Sequence, residues 1–389
     1  MTIFKQGLNE AFNDDELERY KRHFSLENIG IKGQKKLKQS SVLFIGAGGL
    51  GSPAILYIAA AGVGRIGIVD NDKIEKSNLQ RQIIHETSEI GKYKTYSAKH
   101  KIQKLNPNCI VRTFQKRLNK DNSLGIIKDF DIVCDCTDNF PTRYLVNDSC
   151  LLLNKPMIYG SVQGFEGHIS VFNLNQGSPN LRDLLPESPF KNNIPSCEEF
   201  GVMGISTGLI GVLQANEIIK IITKTGVILN GKILIFNLMS MSMKTLNLVA
   251  NSKYKQISNL QEYEDFYEST EYLGCKDNIK SVSAKEFKNI FKKNPEQIVI
   301  IDVRDENSFK NYSIKGSISV PLKVIQEKAS LKYIKDKSAG KKIFTLCKKG
   351  ISSKNASQIL LSQKIESFSI EGGIENLSKD KYFKTENYQ

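Results

Sequence analysis

The stretch SVLFIGAGGLGSPAILYIAAAGVGRIGIVDND, residues 41–72, limits the possible folds of this chain more than any other. An apolar run (SVLFIG) enters a glycine turn, a helical segment follows, and a second apolar run (RIGIVD) closes it, so the stretch reads as strand, turn, helix, strand. Ser52 and Pro53 suit the N-cap and first turn of that helix. Gly46, Gly48 and Gly51 keep the spacing G-x-G-x-x-G, and Asp70 stands nineteen residues after the last of them. A turn of this kind lets backbone N–H groups approach a phosphate with a helix dipole behind them. It does not choose the nucleotide, because Asp70 at a strand end suits a ribose, which NAD and ATP share.

Further strands are expected in DFDIVCDCTD, ending at Asp138, and in KPMIYGSV. Strands alternating with helices predict an α/β fold, a doubly wound, mainly parallel sheet with a Rossmann-like nucleotide unit and ligands beyond the strands' carboxyl ends. Residues 174–200 hold four of the ten prolines and read as a long irregular loop, and a glycine-rich helical pattern begins at Gly201. The polar, tyrosine-rich stretch 251–280 reads as a linker between a domain at 1–250 and a smaller α/β domain at 281–389.

The length of 389 residues and the 40% hydrophobic content suffice for two cores. Arg65 interrupts the best apolar run, and the first residues form no charged-then-apolar leader, so a soluble, cytoplasmic protein without a membrane span is expected. Seven scattered cysteines fit no disulfide framework and suit a reducing compartment. The net charge of +14 comes mostly from dispersed lysines. With no zinc finger, RNP-type motif or dense basic block, it points to a solvated surface or an acidic protein partner rather than to nucleic acid.

Downstream residues choose the nucleotide. Asn78, Gln80, Arg81 and Lys94 follow the acidic strand end closely, and cations there suit a triphosphate better than a hydride carrier. Asp138, in CTDNFPTRY, suits Mg²⁺ as a hard oxygen ligand. The ordered series RYKRH, GQKKLKQSSVLFIGAGGLGSP, AAAGVGRIGIVDND, SNLQRQIIH, TDNFPTRYLVND, GSVQGFEGHISVF and SCEEFGVMG resembles the ThiF/MoeB family over about residues 17–250. The resemblance implies a homodimer that uses ATP and Mg²⁺ to adenylate the C-terminal Gly-Gly of a ubiquitin-like sulfur carrier, MoaD-like or ThiS-like. It implies Gly46, Gly48 and Gly49 at the phosphates and Asp70 at the ribose. Ser77, Asn78, Gln80 and Arg81 stand around the nucleotide, Lys94 on the phosphates, and Asp138 with Asn139 near metal and α-phosphate. Arg22 matches an arginine supplied by the neighbouring subunit.

Two departures matter. Where the family often carries two C-x-x-C pairs for zinc, the first place reads Asn180-Leu-Arg-Asp183 and no pair appears near 250–260, so no zinc is expected. The wording resembles the MoeZ-like branch with a fused rhodanese domain. Cys197, in the proline-rich loop, aligns with a cysteine that some relatives link to the carrier, and is a candidate nucleophile. Cys134 and Cys136 share one face of an apolar strand and read as core.

In KKIFTLCKKGISSKNASQILLSQ, Cys347 ends a strand before a short loop and a helix from about Ser353. Loop amides, the helix N-terminus, Lys348 and Lys349 would stabilise a thiolate or persulfide there. IIDVRDENSF, SIKGSISVP, CKKGISS and EGGIENL resemble a rhodanese domain over about 281–380. By that resemblance Cys347 is the persulfide cysteine, fed by a donor such as a cysteine desulfurase, and Asp302 with Arg304 is a structural pair. Ser352 and Ser313 replace a common arginine and histidine, which bears on the donor.

Overall fold

The computed structural model describes residues 11–186, 201–251, 257–263, 280–348, 350–378 and 383. The chain divides into two units, Met1–Glu268 and Ser269–Gln389.

The first unit is built on an eight-stranded sheet, β1 (Ser41–Ile45), β2 (Arg65–Val69), β3 (Ile110–Phe114), β4 (Ile132–Asp135), β5 (Met157–Gln163), β6 (Glu166–Phe172), β7 (Lys232–Asn237) and β8 (Ser242–Asn247). The strand order is β3-β2-β1-β4-β5-β6-β7-β8. Pairing is parallel from β3 to β5 and antiparallel from β5 to β8. Side chains alternate across a strand, so Val42 and Phe44 of β1 pack with Ile55 and Ile58 of the helix Gly51–Ala61. Leu43 and Ile45 pack on the other face with Phe130, Tyr144 and Leu145. Both faces are covered, which is why the strand reads as an unbroken apolar run. The chain leaves β1 toward β2 on one side, while β4 lies on the other, so a crevice opens where the loops after β1 and β4 diverge.

Several boundaries differ from the sequence reading. The strand expected to reach Asp138 ends at Asp135. Its partner β1 stops at Ile45, whose carbonyl accepts the Cys136 N–H at 3.0 Å. The Asp135 carboxylate then accepts from the Thr137 N–H (3.0 Å) and hydroxyl (2.5 Å), which turns the chain out of the sheet. The helix after the glycine turn begins at Gly51, with Leu50 rather than Ser52 at its N-cap. Gly51 is required there, since a Cβ would collide with the Gly46 carbonyl oxygen.

The helix Gly204–Thr223, 20 residues long with a hydropathy of 1.3, is long and apolar enough to cross a membrane by length and composition, which the sequence reading did not find. Half of it is buried within this unit, against the helix Gly51–Ala61, β5 and β6. Its Glu217 pairs with Lys220 at 2.5 Å and accepts the Leu229 N–H at 3.0 Å.

Of the loop 174–200, residues 187–200, with Cys197, lie outside the described residues. Within the stretch read as linker, Leu260 is buried in the first unit's core.

The second unit has a five-stranded, wholly parallel sheet in the order β11-β10-β12-β13-β9. Its strands are β9 (Ser281–Val282), β10 (Ile298–Asp302), β11 (Ser317–Ser319), β12 (Lys342–Leu346) and β13 (Ser367–Ile370). Ile301 and Ile343 face one apolar layer and Ile300 and Phe344 the other, so this sheet too is covered on both faces.

Candidate active site

Gly46 leaves β1 with φ +101°, a conformation that favours glycine, and a Cβ there would lie 2.8 Å from the Cys136 carbonyl oxygen. The glycine turn therefore runs directly beside the chain leaving β4. Asp70 ends the neighbouring β2, and its two carboxylate oxygens accept the N–H of Ala47 (2.9 Å) and of Asp72 (2.8 Å). Burial pushes the Asp70 carboxyl above its ordinary value, opposed by Lys94 and by those two amides.

Lys94 opens the helix Lys94–Leu105. Its side chain is buried, yet its ammonium pairs at 2.8 Å with the exposed Asp72 carboxylate. A cation held in a fixed place by a replaceable, solvent-facing anion is set up to exchange that anion for another.

Ser77 and Asn78 lie in the short turn Lys76–Asn78, where Ser77 Oγ meets Glu75 (3.2 Å) and Asn78 Oδ1 accepts the Glu75 N–H (2.9 Å). Gln80 is exposed, and Arg81 donates to the Ser77 carbonyl at 3.2 Å. A Cβ on Gly48 would lie 3.7 Å from Gln82 Nε2, and the buried Gln82 Oε1 makes no hydrogen bond among the described residues.

Asp138 is exposed in the loop after β4 and makes no hydrogen bond or ion pair with another of the described residues, so a hard carboxylate stands at the crevice. Asn139 caps the helix Phe140–Leu152, accepting the Thr142 N–H at 3.0 Å. Behind this loop the fully buried Asp135 pairs with Arg143 at 2.9 Å, and Arg143 donates to the Thr137 and Gly160 carbonyls at 2.7 and 2.9 Å.

Several contributors escape sequence reasoning. Thr207 packs on Gly49, where a Cβ would lie 3.0 Å from its hydroxyl, and Gly204 touches the Gln80 carbonyl. Gln214, fully buried, donates to the Asp135 carbonyl at 2.7 Å. With Gly211, which abuts the Leu50 carbonyl, these residues form one face of the helix Gly204–Thr223, and that face holds the loops after β1, β2 and β4. His85 is another, buried between the glycine turn and the helix Lys94–Leu105. The glycine spacing at 204 and 211 was a readable signal, whereas Gln214 and His85 gave none.

Arg22 is exposed in the helix Lys21–Phe24 and is not brought to this chain's own glycine turn. Its neighbour Tyr20 abuts Gly62, at the far end of the helix Gly51–Ala61, about 16 Å along the axis from Gly51. Burial pushes the Tyr20 hydroxyl up to about 12.

At the place of the family's first cysteine pair, Asn180 caps the helix Leu181–Leu184 by accepting the Arg182 N–H at 2.9 Å. Arg182 makes a bidentate pair with the fully buried Asp148 (2.9 and 2.6 Å), and Asp183 accepts the Asn251 N–H at 2.6 Å. Cys134 and Cys136 are buried core residues with sulfurs 3.6 Å apart.

In the second unit, Cys347 follows β12 and is 3% exposed. Its Sγ accepts the Gly350 N–H at 3.0 Å and lies 3.5 Å from Ser353 Oγ, which meets Ser369 Oγ at 2.9 Å. The helix here begins at Ile351, two residues before the expected start, because Gly350 at φ +94° makes the turn. Lys348 is exposed, and Lys349 lies outside the described residues. Arg304 forks onto Asp302 (2.9 and 2.6 Å) and reaches the Tyr312 carbonyl. Ser313 is buried.

The model of the ThiF family matches residues 20–257, and that of the rhodanese-like domain matches residues 283–380. A probable molybdopterin-synthase adenylyltransferase of Gracilaria tenuistipitata var. liui is 39% identical over 360 residues, 92% of this chain and 97% of that protein. The adenylyltransferase and sulfurtransferase MOCS3 of Aedes aegypti is 35% identical, covering 95% of this chain and 86% of its own length. The probable adenylyltransferase/sulfurtransferase MoeZ of Mycobacterium tuberculosis is 38% identical, covering 89% and 88%. Among solved structures, E. coli MccB with ATP superposes with a TM-score of 0.54 at 22% identity, over 63% of this chain and 74% of that one, a likeness of fold.

Proposed function

We propose that this chain, which belongs to the ThiF family and carries a rhodanese-like domain after its ThiF domain, activates a sulfur-carrier protein by adenylation and then transfers sulfur to it. The observation that carries the reading is the gathering of the glycine turn, Asp70, a buried Lys94 and an exposed Asp138 around the carboxyl ends of the neighbouring strands β1, β2 and β4. The names of the relatives, adenylyltransferase and sulfurtransferase, support the same two half-reactions.

ATP lies with its phosphates on the turn at Gly46, Gly48 and Gly49 and its ribose at Asp70, among Ser77, Asn78, Gln80 and Arg81. Lys94 exchanges Asp72 for a phosphate oxygen. Asp138, with a hard oxygen donor facing the crevice, would hold Mg²⁺, which when bound neutralises phosphate charge. Asn139 stands beside it. Arg22 reaches the site from a second copy of the chain, so the homodimer is the working unit.

The terminal carboxylate of a Gly-Gly carrier attacks the α-phosphorus. A new P–O bond forms, the bond to pyrophosphate breaks, and an acyl adenylate results. The terminal sulfur of a Cys347 persulfide, charged by a donor such as a cysteine desulfurase, then attacks the acyl carbon and AMP leaves. A second thiol cleaves the remaining S–S bond, forming a disulfide with Cys347 and releasing a carrier thiocarboxylate; Cys197 stays a candidate nucleophile for a covalent link to the carrier. Gly350 N–H and Ser353 are the donors available to a sulfur anion at Cys347. A MoaD-like carrier fits the molybdopterin-synthase naming of the relatives, with a ThiS-like carrier as the other candidate. The test is ATP–pyrophosphate exchange: exchange that appears only with a Gly-Gly carrier supports the reading, and none with every such carrier overturns it.

A further inference from the structure

We propose that His85 is a positioning residue for the nucleotide, fixing the glycine turn in the orientation that receives phosphate; this deepens the adenylation reading and rests on it. His85 Nε2 lies 3.0 Å from the Ala47 carbonyl oxygen, and Nδ1 lies 2.9 Å from Ser97 Oγ, which also contacts Glu89 Oε2. A carbonyl only accepts, so Nε2 carries the hydrogen and donates it to Ala47.

Ala47 is thereby held at both polar groups. Its N–H belongs to Asp70 at 2.9 Å and its C=O to His85. In a trans peptide, the carbonyl of Ala47 and the N–H of Gly48 point in opposite directions. Drawing the carbonyl inward to a buried imidazole turns the Gly48 N–H the other way, as a phosphate cradle requires. Ser97 belongs to the helix that Lys94 opens, so the line from Ala47 through His85 to Ser97 fastens the turn to the element carrying the phosphate-facing lysine. Ring and hydroxyl are both buried, His85 to 6% exposure and Ser97 to 1%, which fixes this line against solvent.

The experiment measures ATP-Mg binding to the full chain by calorimetry, with thermal unfolding alongside. His85→Ala should weaken ATP binding about tenfold, the size of one net hydrogen bond. His85→Gln, whose side-chain N–H can replace Nε2, should recover to within about threefold. Ser97→Ala leaves the ring but frees Nδ1, and should weaken binding by about threefold. A merely structural histidine would lower the melting temperature and leave the ATP Kd of the folded protein unchanged. Folded His85→Ala binding ATP like wild type, or His85→Gln as weak as His85→Ala, overturns the proposal. If His85→Ala does not fold, Ser97→Ala with an unchanged Kd does so. A wild-type chain that binds ATP but exchanges no pyrophosphate with any carrier overturns adenylation alone and leaves the His85 comparison to be read from Kd. A wild-type chain that binds no ATP overturns both.

Discussion

The imidazole of His85 gives the candidate site a signature that can be followed by pH. Burial holds it down from the ordinary 6.5 to about 4, with Lys94 acting in the same direction and the Ala47 carbonyl and Glu89 against it. The unfolded chain takes up a proton near 6.5, while the folded one resists until about 4. His85 therefore contributes its full share of stability above the unfolded value. That share falls as pH drops through this window, by roughly 3 kcal/mol in all. Urea unfolding of wild type and His85→Gln at about pH 7 and about pH 4.5 checks this. Wild type should lose more stability than the variant, and equal losses would contradict it. Asp70 and Lys94 could be read from sequence because motif spacing placed them together. His85 could not, because its partners, Ala47 and Ser97, lie 38 and 12 residues away and only the fold joins them.

At the scale of elements, β1, β2 and β5 were legible as apolar runs because both faces of the sheet are covered, so that past its first residue neither β1 nor β2 holds a polar residue and only Ser161 interrupts β5 before its end. Their ends were not legible, since β4 stops where β1 stops and a strand cannot reveal its partner's length. The helix Gly204–Thr223 could be found, but not its work of clamping three loops, which depends on what its small residues meet. Gly211→Ala would drive a methyl into the Leu50 carbonyl next to the glycine turn. It should cost about 1–3 kcal/mol and weaken ATP binding, as denaturation and calorimetry on the same variant would show. The short helix Leu181–Leu184 carries a second prediction. Arg182→Ala removes the bidentate ion pair from the fully buried Asp148, which keeps the Asn147 amide at 3.0 Å, and should destabilise by about 3–5 kcal/mol. Replacing both residues with apolar ones of similar size should cost much less, and chemical denaturation distinguishes the two cases.

At the scale of the whole molecule, the proposed chemistry needs two copies of the chain and both of its units. Arg22 lies at the far end of a helix from its own glycine turn, which supports its proposed place in a neighbour's site. Mixing Arg22→Ala with Lys94→Ala chains should restore the pyrophosphate exchange that each lacks, because one site in the mixed dimer then has both residues. No recovery on mixing would place Arg22 in its own site or outside the chemistry. The net charge of +14 favours acidic carriers and makes their association weaken with salt. The central claim joins adenylation by the ThiF domain to sulfur transfer by Cys347, and the intact mass of a Gly-Gly carrier tests it most directly. After incubation with ATP-Mg and a persulfide donor, the carrier should gain the mass of one sulfur-for-oxygen exchange. That gain should vanish without ATP and in Cys347→Ala, while Cys347→Ala still exchanges pyrophosphate. A carrier left unmodified by wild type, or modified equally by Cys347→Ala, would contradict the account.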